Sequence, residues 1–373
     1  MSAVKVAENI YWVGAVDWGV RVFHGYKVPY GTTYNAYLVM DDKITLIDTV
    51  KAPFFDEMVK NISEITDPGK IDVLISNHVE PDHSGALPEL AKLCGNAEIY
   101  TTQNGEKGLR AYYDGIENPF RIVKKGDVLS TGRYNFEFVP MPMVHWPDSM
   151  STYLREEKLL FSNDAFGQHI ASDERFDDEI GLIKLAERSC DYYANIVLPF
   201  AAPVKKLLGD VAGLDISCVC PSHGVMLRSF IGEMASKYAF WADGGYHDDR
   251  AVIVFDTMWE STRMMAEAVA ADFSKKGVET AVFDLRKRHI SEAISACLEA
   301  KYICVGSPTL NRNMMPSVAG FLCYLRGLCP KDRTGLAFGS YGWSGESVAQ
   351  VEAALAELKY EMLPARKAAY RPS

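Results

Sequence analysis

The sequence lacks the paired cysteines from which thiolate iron or zinc sites are built. Its eight cysteines include no C-x-x-C pair, and the nearest spacing is Cys218-x-Cys220 in an apolar run typical of a strand. We expect these cysteines to be buried, reduced core residues, because free cysteine behaves as a small hydrophobe. The chain is therefore predicted to carry no metal site made of cysteine.

Long apolar runs and an excess of positive charge are also missing. The most apolar stretch, residues 193–204, is interrupted by Asn195 and two prolines, so no segment reaches the ~20 apolar residues of a membrane-spanning helix. Lys5 and Glu8 break the pattern of a secretory signal. The chain has 39 Lys and Arg against 49 Asp and Glu, a formal charge of -10, which disfavours nucleic acid and anionic membranes as partners. We expect a cytoplasmic protein without either partner.

The 373 residues are enough for two domains, and the pattern changes once along the chain. Up to about residue 160, short β-rich runs alternate with amphipathic helices, and residues 33–40 and 43–50 are predicted to form a hairpin. At Asp243-Gly244-Gly245 this pattern ends. We predict a first domain, residues 1–246, in which two sheets pack between helical layers, and a second domain, residues 247–373.

The second domain is predicted to be a doubly wound parallel α/β sheet. Its short apolar runs are residues 251–255, 280–284, 302–305 and 335–338, with a possible fifth strand at 364–370. Helical segments begin near Thr262, Ser291, Pro316 and Ser347, so that strands and helices alternate. The chain stops soon after the fifth strand, and a final covering helix is expected to be short or missing.

Four side chains of metal-ligand type follow a predicted buried strand at residues 71–77. They are His78, Glu80, Asp82 and His83. If this loop stays extended, residues 78, 80 and 82 project to one side, because side chains alternate along an extended chain. The alternative is a solvated polar loop in which Asp82 or Ser84 caps the following helix.

Three distant residues favour the metal site over the capping loop. His145, Asp164 and His223 each follow or end a predicted strand, and strand ends at one edge of a sheet sandwich can converge. Four imidazoles and three carboxylates exceed what one tetrahedral zinc can use, whereas two metals at the ~3.5–4 Å spacing of dimetal sites can share them. Three carboxylates among neutral nitrogens favour iron or manganese over zinc.

The predicted allocation divides these ligands between two metals. One metal takes His78, Glu80 and His145, the other takes Asp82, His83 and His223, and Asp164 bridges them. His169, His247 and His289 are expected not to be ligands.

Three loops at strand ends predict a flavin site in the second domain. Residues 256–262 place hydroxyl groups at a helix start, where free backbone N–H groups bind phosphate, although the same pattern is ordinary helix capping. Residues 306–313 and 339–345 follow the third and fourth strands. In a doubly wound sheet these loops line the crevice in which a flavin binds.

The segments that carry these sites resemble the flavodiiron proteins of A type, which combine a metallo-β-lactamase-like αββα sandwich with a flavodoxin-like domain. The similarity covers residues 23–26, 31–37, 78–83, 145–150, 162–168, 192–195 and 222–225. Hydrolytic relatives usually have histidine as the second ligand of the H-x-E-x-D-H motif, whereas this chain has Glu80, which suits a redox pair of irons. The resemblance implies a non-haem diiron centre with the same ligand allocation, and adds His24 and Tyr192 as catalytic candidates near the distal iron.

The second domain resembles the flavodoxin module of the same family, which binds FMN. The resemblance implies that the first loop holds the phosphate and that the other two loops flank the isoalloxazine. The FMN-binding residues so predicted are Thr257, Met258, Trp259, Glu260, Ser261, Thr262, Ser307, Pro308, Thr309, Leu310, Asn311, Asn313, Ser340, Tyr341, Gly342, Trp343 and Gly345. Trp259, Tyr341 and Trp343 are the expected ring neighbours, and Glu260 stands where a small or neutral residue is expected beside a phosphate.

The resemblance implies a reductase that passes electrons from a donor through FMN to the diiron centre, and reduces O2 to water, NO to N2O, or both. Protons are expected from water, His24 or Tyr192. A separate donor is expected, such as a rubredoxin-like protein or a reduced deazaflavin. A head-to-tail homodimer, or a dimer of such dimers, is expected to place the FMN of one subunit beside the irons of the other.

Two other functions stay open at this point. One is a dizinc hydrolase of metallo-β-lactamase type that carries a flavodoxin module, which Glu80 and the three flavin loops disfavour. The other is an electron carrier with a degenerate metal domain, which is disfavoured because none of the seven ligand positions is missing.

Overall fold

The computed structural model describes residues 2–372, which divide into two units. The first unit comprises the chain up to Phe23, Val28–Tyr192 and Ala202–Ala239. The second comprises His24–Lys27, Tyr193–Ala201 and the chain from Phe240 onwards. The domain boundary at residue 246 stays a prediction. Within residues 2–372, no helix is both long and apolar enough to cross a lipid bilayer.

Residues 2–242 contain sixteen strands and eight α-helices. The strands are β1 Val4–Ala7, β2 Ile10–Trp12, β3 Ala15–Asp17, β4 Val22–Phe23, β5 Tyr26–Lys27, β6 Thr32–Tyr34, β7 Tyr37–Val39, β8 Thr45–Ile47, β9 Val73–Ile75, β10 Glu98–Thr101, β11 Phe120–Ile122, β12 Val128–Ser130, β13 Asn135–Pro140, β14 Met150–Leu154, β15 Leu159–Asn163 and β16 Cys218–Pro221. The helices are α1 Phe55–Ser63, α2 Pro81–Ser84, α3 Leu87–Leu93, α4 Gln103–Tyr112, α5 Asp177–Ile180, α6 Leu182–Tyr192, α7 Ala201–Val211 and α8 Ile231–Ala242. A π-helical turn, Tyr193–Val197, separates α6 from α7.

The first unit contains two large sheets, with strand orders β1-β2-β7-β8-β9-β10-β11 and β12-β13-β14-β15-β16, and a small sheet formed by β3 and β6. Strand β9 is buried on both faces, because Val73 and Ile75 join the core shared with the second sheet, whereas Leu74 packs among residues of α1, α3 and α4. Prolines and helix caps set the helix starts, as at Thr102, whose hydroxyl accepts the Gly105 N–H before α4. Strand ends and their loops are thereby held at the edges of a layered sandwich.

The predicted hairpin of residues 33–40 and 43–50 is confirmed for the part nearest the turn. Strands β7 and β8 pair antiparallel, with Tyr37 opposite Ile47. Residue Thr33, however, belongs to β6, which pairs with β3 instead. The break falls at Asn35, whose side-chain amide donates to the carbonyls of Pro221 and Gly224.

The second unit contains a parallel sheet in which strand order follows β18-β17-β19-β20 and then β22. The elements are β17 His247–Phe255, α9 Ser261–Ser274, β18 Glu279–Asp284, α10 Ile290–Cys297, β19 Ala300–Gly306, α11 Pro316–Leu328, β20 Thr334–Tyr341, α12 Glu346–Glu357, β21 Glu361–Met362 and β22 Arg366–Ala369. The predicted fifth strand is therefore confirmed as β22. This order brings the carboxyl ends of β17, β19 and β20 side by side, which is the edge at which doubly wound sheets bind ligands.

The eight cysteines form no disulfide among the described residues. Five of them are buried, but Cys323 is exposed, so the prediction that all of them are core residues is wrong there. Cys323 lies on α11 beside the buried Leu322, at a position that the helical period turns outwards.

Candidate metal centre and flavin site

The H-x-E-x-D-H motif changes from extended chain to helix part-way through. The condition that the loop stays extended as far as residue 82 is not met, because α2 begins at Pro81. Proline suits the first position of a helix, since its fixed φ is helical and its missing N–H has no intrahelical partner to lose. The turn at Pro81 separates Asp82 and His83 from His78 and Glu80.

The structure brings all seven predicted ligands into two groups. The first group is His78, Glu80, His145 and Asp164, and the second is Asp82, His83 and His223. Within each group, one ligand atom from every residue lies within 4.8 Å of the others. In the first, His145 Nε2 is 3.2 Å from both Glu80 Oε2 and Asp164 Oδ2. In the second, His223 Nε2 is 3.1 Å from Asp82 Oδ2.

Asp164 connects the two groups from the end of β15. Its Oδ2 faces the first group, at 3.6 Å from His78 Nε2. Its Oδ1 faces the second group, at 3.0 Å from His83 Nε2 and 3.6 Å from His223 Nε2. A carboxylate with one oxygen towards each group has the geometry of a bridging ligand.

The chemistry of this cluster fits a pair of metal ions. The side chain of His145 is 11% exposed, and those of Glu80 and Asp82 are 7% exposed. Both carboxylate oxygens of Asp82 and Asp164, and both ring nitrogens of His83, have no partner with hydrogen-bond geometry within residues 2–372. Burying a charged group costs free energy unless the group is paired or binds a metal ion. These buried oxygens and nitrogens are therefore suited to be metal ligands.

The buried carboxylates attract positive charge to the imidazoles. Burial lowers the pKa of His78, but hydrogen bonds with Asp148 and Glu80 outweigh burial and raise that pKa to about 10. Burial likewise opposes the charged form of His145, and the close carboxylates of Asp164 and Glu80 raise its pKa to about 10. Divalent metal ions supply positive charge to the same atoms in place of protons.

Contacts behind the ligands were not predicted from the sequence. Asp148, which is 3% exposed, places Oδ2 at 2.9 Å from Nδ1 of His78. The backbone carbonyl of Thr33 lies 2.7 Å from Nδ1 of His223. Asp148 follows Pro147 in a segment that the sequence presents as a turn, and nothing in that local pattern indicates a partner seventy residues away.

Aromatic rings and a further histidine pack beside the second group. The ring centroid of His169 is 4.8 Å from that of His223, and Thr32 Oγ1 lies 2.7 Å from His169 Nδ1. Tyr192, at the end of α6, is buried with its ring centroid 5.0 Å from His169 and 5.9 Å from His223. His169 is in neither ligand group. His24 is exposed and belongs to the second unit, and its catalytic role stays a prediction.

A cleft of about 530 Å³ lies at the carboxyl ends of β17, β19 and β20. The predicted flavin residues that line it are Met258, Trp259, Glu260, Ser261, Pro308, Thr309, Ser340, Tyr341 and Gly342. The other predicted residues, which are Thr257, Thr262, Ser307, Leu310, Asn311, Asn313, Trp343 and Gly345, are not among its lining. Arg263, Met264, Tyr370 and Arg371 line it as well and were not predicted.

The first loop of this cleft has the donors that a phosphate needs. Helix α9 begins at Ser261, and the buried hydroxyl of Thr257 has no hydrogen-bond partner within residues 2–372. Thr262 Oγ1 lies 2.8 Å from Ser340 Oγ, which joins the first loop to the third. A hydroxyl without a partner beside a helix N-terminus fits an anionic group, because both donate hydrogen bonds to it.

The negative charge of Glu260 suggests repulsion of a phosphate, but two arginines offset that charge. Its carboxylate pairs with Arg263 and accepts from Arg286 Nη1 at 3.0 Å. These two arginines hold the pKa of Glu260 below its usual value. The residue has φ of +66°, in the left-handed region, so it ends the loop and turns its side chain towards the arginines.

Comparison with known proteins assigns the family. A family model described as ODP family beta lactamase matches residues 32–224, and a flavodoxin model matches residues 253–370. The nitric oxide reductase of Moorella thermoacetica is 43% identical over 364 residues, which are 96% of this chain and 91% of that protein. The rubredoxin-oxygen oxidoreductase of Megalodesulfovibrio gigas is 41% identical over 367 residues, which are 97% and 91% of the two chains. The solved flavodiiron protein of Giardia intestinalis superimposes with a TM-score of 0.98 at 33% identity, over 100% of this chain and 92% of that one. The chain belongs to the flavodiiron proteins.

This assignment confirms the predicted fold class and cofactors. The flavodiiron protein has a metallo-β-lactamase-like domain followed by a flavodoxin domain, and its cofactors are two non-haem iron ions and FMN. It is an oxidoreductase that passes electrons from FMN to the diiron centre. The dizinc hydrolase and the electron carrier with a degenerate metal domain are therefore wrong as functions for this chain.

Proposed function

We propose that this flavodiiron protein reduces O2 to water, NO to N2O, or both, at a diiron centre held by the seven predicted ligands. The observation that carries the proposal is the pair of buried ligand groups connected by Asp164. The relatives named nitric oxide reductase and rubredoxin-oxygen oxidoreductase support the two gases as substrates. When bound, the irons and the reduced flavin supply the electrons for the reduction.

The residues of this chain hold, orient and shield that centre. His78, Glu80 and His145 are proposed to hold one iron, and the second ligand group the other. The ligand side chains are nearly inaccessible to solvent, which keeps competing water and larger molecules from the centre. Tyr192 is buried beside His223. The protons of the product are proposed to come from water, with Tyr192 as the general acid that delivers them and His24 as the second candidate.

The donor is proposed to be a separate rubredoxin-like protein, with a reduced deazaflavin as the alternative. The name of the Megalodesulfovibrio gigas relative supports the first of these. Trp259 and Trp343, beside the flavin cleft, are 88% and 90% exposed. Large exposed aromatics are typical of protein contact surfaces. They support docking of a donor or of a second subunit at this edge.

We further propose a head-to-tail homodimer, or a dimer of such dimers, in a cytoplasmic setting. The eight cysteines, which form no disulfide among the described residues, support a reducing compartment. Light scattering coupled to size-exclusion chromatography tests the dimer. A protein that is monomeric and fully active at the same concentration would contradict it.

Parallel gas consumption tests the proposed reaction. The protein, loaded with two irons and one FMN, is reduced anaerobically and mixed with O2 or NO in separate stopped-flow runs, with and without each donor. Flavin reoxidation, peroxide formation and N2O yield are measured. We expect reoxidation by at least one gas without peroxide release, and we expect Asp164→Asn to lose this peroxide-free reaction. Fully loaded, reduced protein that consumes neither gas would refute the proposal.

A further inference from the structure

The outer ring nitrogens of three ligand histidines have different surroundings. Nδ1 of His78 lies 2.9 Å from a carboxylate oxygen of Asp148. Nδ1 of His223 lies 2.7 Å from the neutral backbone carbonyl of Thr33. Nδ1 of His83 is buried and has no hydrogen-bond partner within residues 2–372. Of these three ring nitrogens, only Nδ1 of His78 has a carboxylate as its hydrogen-bond partner.

We infer that Asp148 is a positioning residue for the diiron centre, which makes the first ligand group hold its iron more tightly than the second. The inference rests on the ligand allocation of the proposed function. A carboxylate that accepts the Nδ1–H of a histidine fixes the ring tautomer and orientation, and its charge strengthens the bond from the other nitrogen to a metal. A carbonyl fixes the tautomer without that charge.

The geometry at His78 meets the requirements of this role. With its proton on Nδ1, the ring presents Nε2 to the ligand group, at 3.3 Å from Glu80 Oε2 and 3.6 Å from Asp164 Oδ2. The ring of Trp146 packs perpendicular to the His78 ring with centroids 5.2 Å apart, which limits rotation. The imidazole is therefore held both by a charged hydrogen bond and by packing.

Asp148 is itself held in place. Its Oδ2 also accepts the backbone N–H of Val79 at 2.8 Å, and its backbone carbonyl accepts the hydroxyl of Thr102 at 2.9 Å. The residue is buried, so its charge acts on His78 with little screening by water. A merely structural role for Asp148 would be to satisfy the Val79 N–H, and the test has to separate that role from the effect of the charge.

Asp148→Asn separates the two, because the amide oxygen can accept both hydrogen bonds while the charge is lost. The control is Asp177→Asn. Asp177 is a buried carboxylate that accepts the backbone N–H groups of Ser229 and Phe230. Its substitution by asparagine removes the same negative charge at a site away from the metal ligands. Each variant, fully loaded with Fe²⁺ under anaerobic conditions, is equilibrated with graded concentrations of a coloured ferrous chelator. Circular dichroism of the metal-free proteins checks folding.

We expect the wild-type protein to release its two irons in two separate steps, with the second ligand group losing iron first. His223→Asn, which removes a ligand of the second group, identifies that first step. In Asp148→Asn the tighter step is expected to weaken by about 10- to 100-fold while the weaker step stays unchanged. Asp177→Asn is expected to leave both steps at their wild-type positions.

The outcomes distinguish this inference from the proposed function. A wild-type protein that holds no iron at these ligands would defeat the proposed function itself. Two tightly bound irons whose release is unaffected by Asp148→Asn, or a loss confined to the weaker step, would overturn the role of Asp148 alone.

A measurement on the wild-type protein keeps the test valid if Asp148→Asn does not fold. Zinc-loaded protein is diamagnetic, so ¹⁵N NMR of labelled histidine reports which nitrogen carries the proton. We expect His78 to carry an exchange-protected proton on Nδ1. A proton on Nε2 of His78 would overturn the inference.

Discussion

The Oδ1 atom of Asp164 lies 3.0 Å from Nε2 of His83, so one residue of the first ligand group reaches into the second. The contact spans a large stretch of sequence, because His83 is on α2 and Asp164 follows β15. It makes the two groups one centre. Changes at Asp164 are therefore expected to affect both metals, whereas changes at other ligands affect mainly one.

Asp164→Asn should lower the iron content from two ions to about one or fewer per chain, because the amide cannot supply the bridging negative charge. Iron is counted by plasma mass spectrometry and FMN by its absorbance. The FMN content should not change, since the flavin cleft lies in the second unit. Retention of both irons at wild-type affinity would contradict the bridging role.

Glu80→His should shift metal selectivity from iron towards zinc. The change removes one carboxylate from the first group and adds a nitrogen, and nitrogen-rich sites suit zinc better. Protein produced with equal supplies of iron and zinc is analysed for both metals. We expect the zinc-to-iron ratio to rise several-fold over that of the wild-type protein, and an unchanged ratio would show that Glu80 does not set selectivity.

Thr257→Val should weaken FMN binding by about 10- to 100-fold, because a hydrogen bond to a charged group contributes roughly 1.5–3 kcal/mol. The hydroxyl is buried with no protein partner among the described residues, so valine removes the bond to the phosphate with little other change. Quenching of FMN fluorescence measures the dissociation constant. Thr280→Val, on β18 and outside the three predicted flavin loops, is the control and should leave FMN affinity unchanged.

Gly339→Ala should destabilise the second unit by about 1–3 kcal/mol, as overpacking does. A Cβ there would lie 2.1 Å from the backbone oxygen of Ser307, which no side-chain rotation can relieve. Calorimetric unfolding measures the effect. Gly320→Ala, in α11 with open space around it, should instead stabilise by about 0.5–1 kcal/mol. Equal effects at the two glycines would show that the contact with Ser307 is unimportant.

The convergence of the seven candidate ligands was predictable because most of them follow a recognisable strand end. Chain positions after β9, β15 and β16 converge at one edge of the layered sandwich, so residue type and strand position together identified Asp164 and His223. The helix at Pro81 was missed, because the motif's alternation of ligand types resembles an extended chain. The error concerned backbone shape and left the ligand set intact.

The residues behind the ligands could not be predicted in the same way. Asp148 contacts His78 through one hydrogen bond, and His169 packs against the ring of His223. Both contacts depend on side-chain directions in the folded chain. The flavin loops were found from strand ends, yet Arg263 and Arg371 were missed, because exposed basic residues on a helix or near a chain end are common without any ligand.

Burial of the ligand cluster also restricts the size of the molecules that can react there. His145, with 11% of its side chain exposed, is more accessible than Glu80 and Asp82 at 7% or His223 and Asp164 at 2%. Diatomic gases need only a narrow passage, whereas a lactam or thioester has to place a bulky carbonyl against the metals. We therefore expect restricted access, as well as metal identity, to exclude hydrolytic substrates, so that zinc substitution at the same ligands yields an inert protein rather than a hydrolase.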